Sequence, residues 1–224
     1  SFRASSVGFN MSQERIMELR QQLKAWREAY YNLTPLVSDP EYDAARDELA
    51  LLSPEDEEVV AVGAAPPKFS VWEKVQHEVP MGSLGKANSR AEFDMWVAKT
   101  GATEFFITHK IDGSSMELVY ENGALIRCVT RGNGKIGEDV TENVAQVQMV
   151  PKTIPHKGRL IVRGEVVMFK SVFMEKYAEE YANPRNTAAA KVREKKKGGL
   201  DCQNLHFIGY WMSPHKDRPT TMFG

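Results

Sequence analysis

The residues best suited to chemistry are Lys110-Ile111-Asp112-Gly113, which close the apolar run Phe105-Phe106-Ile107-Thr108-His109. Phenylalanine and isoleucine favour a pleated, half-buried strand, and the pattern predicts one over 105–111 that Gly113 terminates. Period-two alternation aims Thr108, Lys110 and Asp112 at one face of that strand. Lysine is costly to bury unpaired, so an inward Lys110 beside Asp112 calls for a use. Nucleophilic attack by an amine whose pKa its site lowers is such a use. Taken alone, K-x-D-G reads equally as an exposed lysine at a strand end.

Three further stretches bear on that choice. Thr130-Arg131-Gly132-Asn133-Gly134 sets an arginine ahead of a glycine-rich turn. There it reaches a phosphate or ribose, or sits solvated on a hairpin loop. In Arg163-Gly164-Glu165-Val166, alternation puts Arg163 and Glu165 on one face, where they pair with each other. The functional alternative is that Glu165 accepts from ribose hydroxyls or holds a metal-bound water. Asn183-Pro184-Arg185-Asn186 opens a basic segment in which Arg185, Lys191, Arg193, Lys195, Lys196 and Lys197 are set against Glu194. Such a cluster neutralises phosphates or forms a solvated surface. A Walker-type phosphate loop is absent, and the five histidines show no metal-ligand spacing. The two cysteines, Cys128 and Cys202, form no C-x-x-C pair and fit a reducing compartment.

The elements that must position these residues can be read from spacing. Ile16, Leu19, Leu23, Trp26 and Tyr30 step by three and four, which predicts an amphipathic helix from Met11. Residues 1–10 read as an expression tag and are set aside. Ser38-Asp39-Pro40 announces a second helix, a capping side chain before proline, with Tyr42, Ala45, Leu49 and Leu52 as its buried face. The acidic Glu55-Asp56-Glu57-Glu58 reads as a solvated helix start. A helical domain over 11–62 and a Pro/Ala/Gly-rich linker over 63–76 precede a strand-and-turn region over 77–224. In that region the pattern predicts a helix over 91–97 and strands over 115–120 and 124–130 joined at Asn122-Gly123. A strand pair over 159–169 bends at Gly164, and a helix follows over 172–181. A polar loop and basic segment occupy 183–199, with a last strand over 205–212. The fold class is α+β with a mostly antiparallel sheet. A net charge of -1 over 224 residues excludes a strongly basic, purely electrostatic nucleic-acid binder. No apolar run has transmembrane length, and a cytoplasmic location is expected.

In this order, and together with Ser38-Asp39-Pro40-Glu41-Tyr42-Asp43, His77-Glu78-Val79-Pro80-Met81-Gly82-Ser83-Leu84 and Asn183-Pro184-Arg185-Asn186-Thr187-Ala188-Ala189-Ala190, the stretches resemble the N-terminal part of an NAD-dependent DNA ligase over 11–212. K-x-D-G also occurs in ATP-dependent ligases and capping enzymes. Tyr30-Tyr31 and the D-x-E-Y-D helix ahead of it point to NAD. The resemblance implies a helical domain that binds nicotinamide mononucleotide, followed by an incomplete nucleotidyltransferase (adenylation) domain. By the same resemblance, Tyr30, Tyr31, Asp39, Pro40, Glu41, Tyr42 and Asp43 match the nicotinamide mononucleotide site. Lys110 matches the nucleophile, with Asp112 beside it, that takes AMP from NAD for transfer to the 5′-phosphate of a nick in duplex DNA. Ser83, Leu84, Thr108 and Gly113 match the adenosine side, Arg131 and Glu165 ribose and phosphate contacts, and Tyr210 an aromatic stacked on adenine.

A lysine with a pKa of roughly 10.4 is neutral only about once in a thousand near pH 7.5, so cations such as Arg131, Arg185 or Arg193 must disfavour its ammonium form. Mg2+ would ride on the phosphates and needs no dedicated ligand cluster. This chain departs from the family at Thr108, where glutamate is usual, and at Ala190 and Lys191, where glycine and serine are usual. The family's later D-G-x-V-x-K element, oligonucleotide-binding barrel, zinc module and helix-hairpin-helix region have no counterpart in these residues. The expectation is therefore a truncated ligase or one subunit of a split one, completed by a C-terminal portion or partner chain. The alternative is a non-catalytic, ligase-derived module that binds DNA or a partner.

Overall fold

The computed structural model describes residues 3–31, 36–61, 70–195 and 199–213, with the side chains of 3–11, 31 and 39 not described. The loop at 32–35, residues 63–69 of the expected linker, Lys196, Lys197 and residues 214–224 lie outside the described residues. Helix α1 (Arg3–Tyr31) begins ahead of Met11, so the backbone of 3–10, set aside above, is helical. Its Ile16, Leu19 and Leu23 bury against Leu49 of α2 (Asp39–Leu52), with Trp26, Tyr42 and Ala45 around them. Leu52 is exposed, and Val59 packs on this core from the next helix.

That helix, α3 (Glu57–Val60), corrects the reading of the acidic run as solvated. Asp56 and Glu58 are buried, and Arg20 Nη2 and Arg27 Nε of α1 lie 2.6 and 3.0 Å from their carboxylates. Charged groups leave water at a modest net cost only when they find partners of this kind.

Strand β1 (Lys74–Gln76) and helix α4 (Arg90–Thr100) lead to the main sheet. Strands β2 (Ser114–Glu121) and β3 (Ala124–Thr130) form the expected hairpin. Asn122 and Gly123, with φ of 49° and 87°, supply the left-handed pair that such a two-residue turn requires. After β4 (Ile136–Glu138), which pairs with β1, and α5 (Thr141–Val144) comes β5 (Arg159–Met168). β5 is one continuous strand where a bent pair was expected; the irregularity at Arg163/Gly164 is a register shift against its neighbour. Helices α6 (Lys170–Lys176) and α7 (Pro184–Arg193) and a 3-10 turn (Leu200–Asn204) precede β6 (Leu205–Ser213).

The sheet order is β3-β2-β5-β6, antiparallel throughout. Met116, Leu118, Val166, Leu205 and Phe207 from the sheet pack with Val140 and Val144 around α5, Ala188 and Val192 of α7, and Cys202.

Two further expectations fail. Residues 104–112 belong to no described strand, and Phe105, Phe106 and Ile107 are 42%, 63% and 90% exposed. The segment pairs with no described strand, and β-propensity without a partner makes no strand. Conversely, the expected polar loop at 183–199 contains α7. Asn183 caps it by accepting from the Asn186 N–H at 2.8 Å, and Pro184 sits in its first turn.

Candidate functional site

A pocket opens where the start of β2, the β3–β4 turn, α7 and the end of α1 meet. Its walls are Tyr30, Gly113, Ser114, Ser115, Arg131, Gly132, Arg185, Asn186, Ala189 and Arg193. Gly113 is needed for close approach rather than to end a strand. A Cβ there would stand 2.4 Å from the Val166 carbonyl oxygen of β5. Arg185, Ala189 and Arg193 are spaced by four and so share one face of α7.

The opposite side of α7 is locked to the body by Lys191, which is buried. Its Nζ lies 2.9 Å from Asp201 and 3.2 Å from Glu194, with the rings of Tyr177 and Tyr181 at 5.3 and 5.4 Å. Burial opposes the Lys191 charge, but hydrogen bonds to Asp201 and Glu194 outweigh it and hold its pKa above the ordinary value. One of the six basic residues expected to meet phosphate or water, Lys191, is thus spent internally; Lys195 is exposed, its ammonium 3.7 Å from the centre of the Trp72 ring and 3.7 Å from Glu142.

The pocket's cations are held at defined points. Arg193 Nε donates to Glu138 at 2.8 Å, while its backbone oxygen accepts from Trp72 Nε1 at 2.9 Å. Arg185 Nη1 lies 3.4 Å from Asp112, and its guanidinium stands 5.0 Å from the centre of the Tyr30 ring. Arg131 Nη2 donates to Ser83 Oγ at 3.4 Å, whereas its buried Nε has no hydrogen-bond partner among the described residues.

Glu165 flanks the pocket through Ser115, whose Oγ donates to it at 3.0 Å. Burial raises the Glu165 pKa, opposed by the Ser115 hydrogen bond and the charges of Arg185, Lys110 and Arg131. Tyr210 is raised chiefly by burial and next by the Glu165 charge, and it hydrogen-bonds Ser115. Arg163 and Glu165 do not pair along β5 as expected. The register sets Arg163 opposite Glu117 and Glu165 opposite Ser115, and each bonds across the strands instead.

Of the residues singled out from sequence, Tyr30, Gly113, Arg131, Arg185 and Arg193 line the pocket, with Ser83, Glu165 and Tyr210 adjoining it. On α2, Pro40 lies in the first turn and Glu41 accepts from the Ser38 N–H and hydroxyl at 2.9 and 2.6 Å. Tyr42 packs in the hairpin core, and Asp43 pairs with Lys86 at 2.9 Å. The side chains of Tyr31 and Asp39 lie outside the described residues. Leu84 is 80% exposed and away from the pocket.

Thr108 and Lys110 are exposed and line no wall of it, because the strand expected to aim them inward is not formed. Asp112 is exposed yet tied to Arg185. Ser114, Ser115, Asn186 and Ala189 were missed as site residues. The signal for the last two was the Asn183-Pro184 cap followed by four-residue spacing. Among the described residues no three His, Cys, Asp or Glu side chains gather as a metal site, and no helix is long and apolar enough to cross a membrane.

The family model of the NAD-dependent DNA ligase adenylation domain matches residues 69–222. A DNA ligase of Sorangium cellulosum is 35% identical over 232 residues, covering 92% of this chain and 34% of that protein. A DNA ligase of Treponema denticola is 37% identical over 209 residues, covering 88% and 31%. DNA ligase 1 of Nocardia farcinica is 39% identical over 209 residues, also covering 88% and 31%. The chain spans about a third of the length of these curated relatives.

Proposed function

The chain belongs to the NAD-dependent DNA ligase adenylation-domain family, and on that premise we propose that it performs the lysine-adenylation step of a DNA ligase. One observation carries the reading. A single pocket gathers Tyr30 of the helical hairpin, Gly113 of K-x-D-G and the guanidiniums of Arg131, Arg185 and Arg193. Arginine guanidiniums at a pocket wall suit paired phosphates, and the Tyr30 ring offers a flat surface to a nucleotide ring. Arg131 and Arg185 would hold the phosphates of NAD, and Glu165 the ribose hydroxyls. NAD supplies an electrophilic α-phosphorus with nicotinamide mononucleotide as leaving group.

The Lys110 amine loses its proton and forms a P–N bond to that phosphorus. The P–O bond to nicotinamide mononucleotide breaks, and AMP stays on Nζ. Lys110 is exposed, so segment 104–112 swings in for this step. The charge of Lys110 acts on Glu165, alongside those of Arg185 and Arg131. Mg2+ would be carried by nucleotide phosphates and water. Transfer of AMP to a nick in duplex DNA, and sealing, would require a C-terminal portion or a partner subunit. Alone, the chain is expected to adenylate slowly or not at all and to seal nothing.

Intact mass after incubation with NAD or ATP tests this. A gain of one adenylyl group from NAD, absent in Lys110→Ala, is expected. No gain, even with a complementing C-terminal portion present, would overturn the reading. It would leave the second one, a non-catalytic DNA- or partner-binding module, which the exposed Lys110 and Thr108 favour.

A further inference from the structure

Beneath the pocket, the ring of His77 is buried and meets oxygen at both nitrogens. Nδ1 lies 3.0 Å from Glu117 Oε1, and Nε2 lies 3.2 Å from the Thr130 carbonyl and 3.1 Å from the Arg131 carbonyl. A carbonyl oxygen only accepts, and an ionised carboxylate only accepts. A neutral imidazole carries one N–H and one lone pair, so either tautomer would aim a lone pair at oxygen. A Glu117 protonated on Oε1 would remove the conflict and still accept on Oε2, but Arg163 Nε and Nη2 stand 3.1 and 2.9 Å from Oε2, and that guanidinium charge favours the carboxylate. The Glu117 pKa is lowered although burial pulls it upward, because His77 and Arg163 outweigh desolvation.

We infer that His77 is a buried imidazolium, a positioning residue whose second N–H holds the Arg131 turn under the pocket.

What reaches the ring is Glu117 from β2, Arg163 of β5 through that carboxylate, and two carbonyls at the end of β3. The same contacts zip two segments together. The His77 N–H donates to the Lys135 carbonyl at 2.9 Å and the Met81 N–H to the Gly134 carbonyl at 2.8 Å. Arg163 closes the other side by donating to the carbonyls of Val79 and, at 3.1 Å, Pro80. The zipped segments carry Ser83 and Arg131, which meet at the pocket edge. Losing the second proton would turn an Nε2 lone pair toward the Thr130 and Arg131 carbonyls and push the turn away. The charge therefore sets where Arg131 stands. The positioning role rests on the proposed nucleotide pocket; the protonation state does not.

Long-range proton–nitrogen correlation on the chain labelled with 15N-histidine tests this without a ligand. At about pH 8, where an ordinary histidine of pKa about 6.5 is neutral, one ring should keep both nitrogens protonated, and its signal should vanish in His77→Gln. Raising the pH further should titrate that ring and shift the backbone amides of 130–135 with the same midpoint. If every ring is neutral at pH 8, or if the His77 ring titrates while those amides stay still, the inference is overturned. If the imidazolium and the linked amide shift are seen but NAD does not bind, the pocket reading fails and the assignment of His77 stands.

Discussion

Two neighbouring regions of this molecule treat their chemistry-bearing residues in opposite ways. Around β2, β5 and α7, cations sit between carboxylates, carbonyls and aromatic rings: Arg163 on Glu117, Arg193 on Glu138, Lys191 on Asp201. Residues 82–112, which carry Lys110, are exposed almost throughout. Helix α4 has no buried residue, and Phe93, Trp96 and Phe105 stack on one another at 5.8 and 5.4 Å while remaining exposed. The pocket is thus built by the start of β2, the Arg131 turn, α7 and the end of α1, whereas Lys110 is carried on an exposed segment tied to the rest by Ser83 on Arg131, Lys86 on Asp43 and Asp112 on Arg185. On the proposed function, binding and bond-making are separable, and Gly113 is where the two regions join.

The contrast can be attacked by substitution. Glu117→Ala leaves Arg163 and His77 buried without their shared counter-charge, and is expected to cost about 3–5 kcal/mol in denaturant unfolding. Gly113→Ala forces a Cβ against the Val166 carbonyl and should cost about 1–3 kcal/mol, weakening NAD binding as the start of β2 is pushed off β5.

Glu165 gives a pH signature. Its folded-state pKa lies above the ordinary 4.5, so the folded chain holds this proton more tightly than the unfolded one. The stability gained is complete below that ordinary value and lost as pH rises through the raised one. Glu165→Gln, which keeps an acceptor for Ser115, should gain stability relative to the wild type as pH climbs through that window, read as the difference in melting temperature. Trp96→Ser, on the exposed segment, should change stability by no more than about 0.5 kcal/mol. A large loss there would erase the distinction between the regions.

Local signals in the sequence were legible where local physics decides. The Asn122-Gly123 turn, the three-four spacing of Ile16 to Leu23, and the cap at Ser38 all fold as their chemistry dictates. The cap-and-proline rule that identified α2 also marks Asn183-Pro184, yet the polar residues behind it read as a loop. Their burial against β5, β2 and α5 depends on tertiary partners that no short window contains. Pairing across strands was invisible for the same reason. Nothing in Arg163-Gly164-Glu165 says that Glu117, remote in sequence, sits opposite Arg163. The strand expected over 105–111 failed for the converse reason, since its propensity is evident but it pairs with no described strand. Of the candidate site, Glu165 on β5, Arg185 and Arg193 on α7 and Arg131 in its turn were legible, while Asn186 and Ala189 of α7 were not. The placement of Lys110 was not.

The most direct test is calorimetric titration of NAD into the chain and two variants, Lys110→Ala and Arg131→Ala. A pocket built independently of the nucleophile predicts that Lys110→Ala binds NAD as the wild type does and that Arg131→Ala loses most of the affinity. Binding abolished by Lys110→Ala, or undiminished in Arg131→Ala, would contradict it.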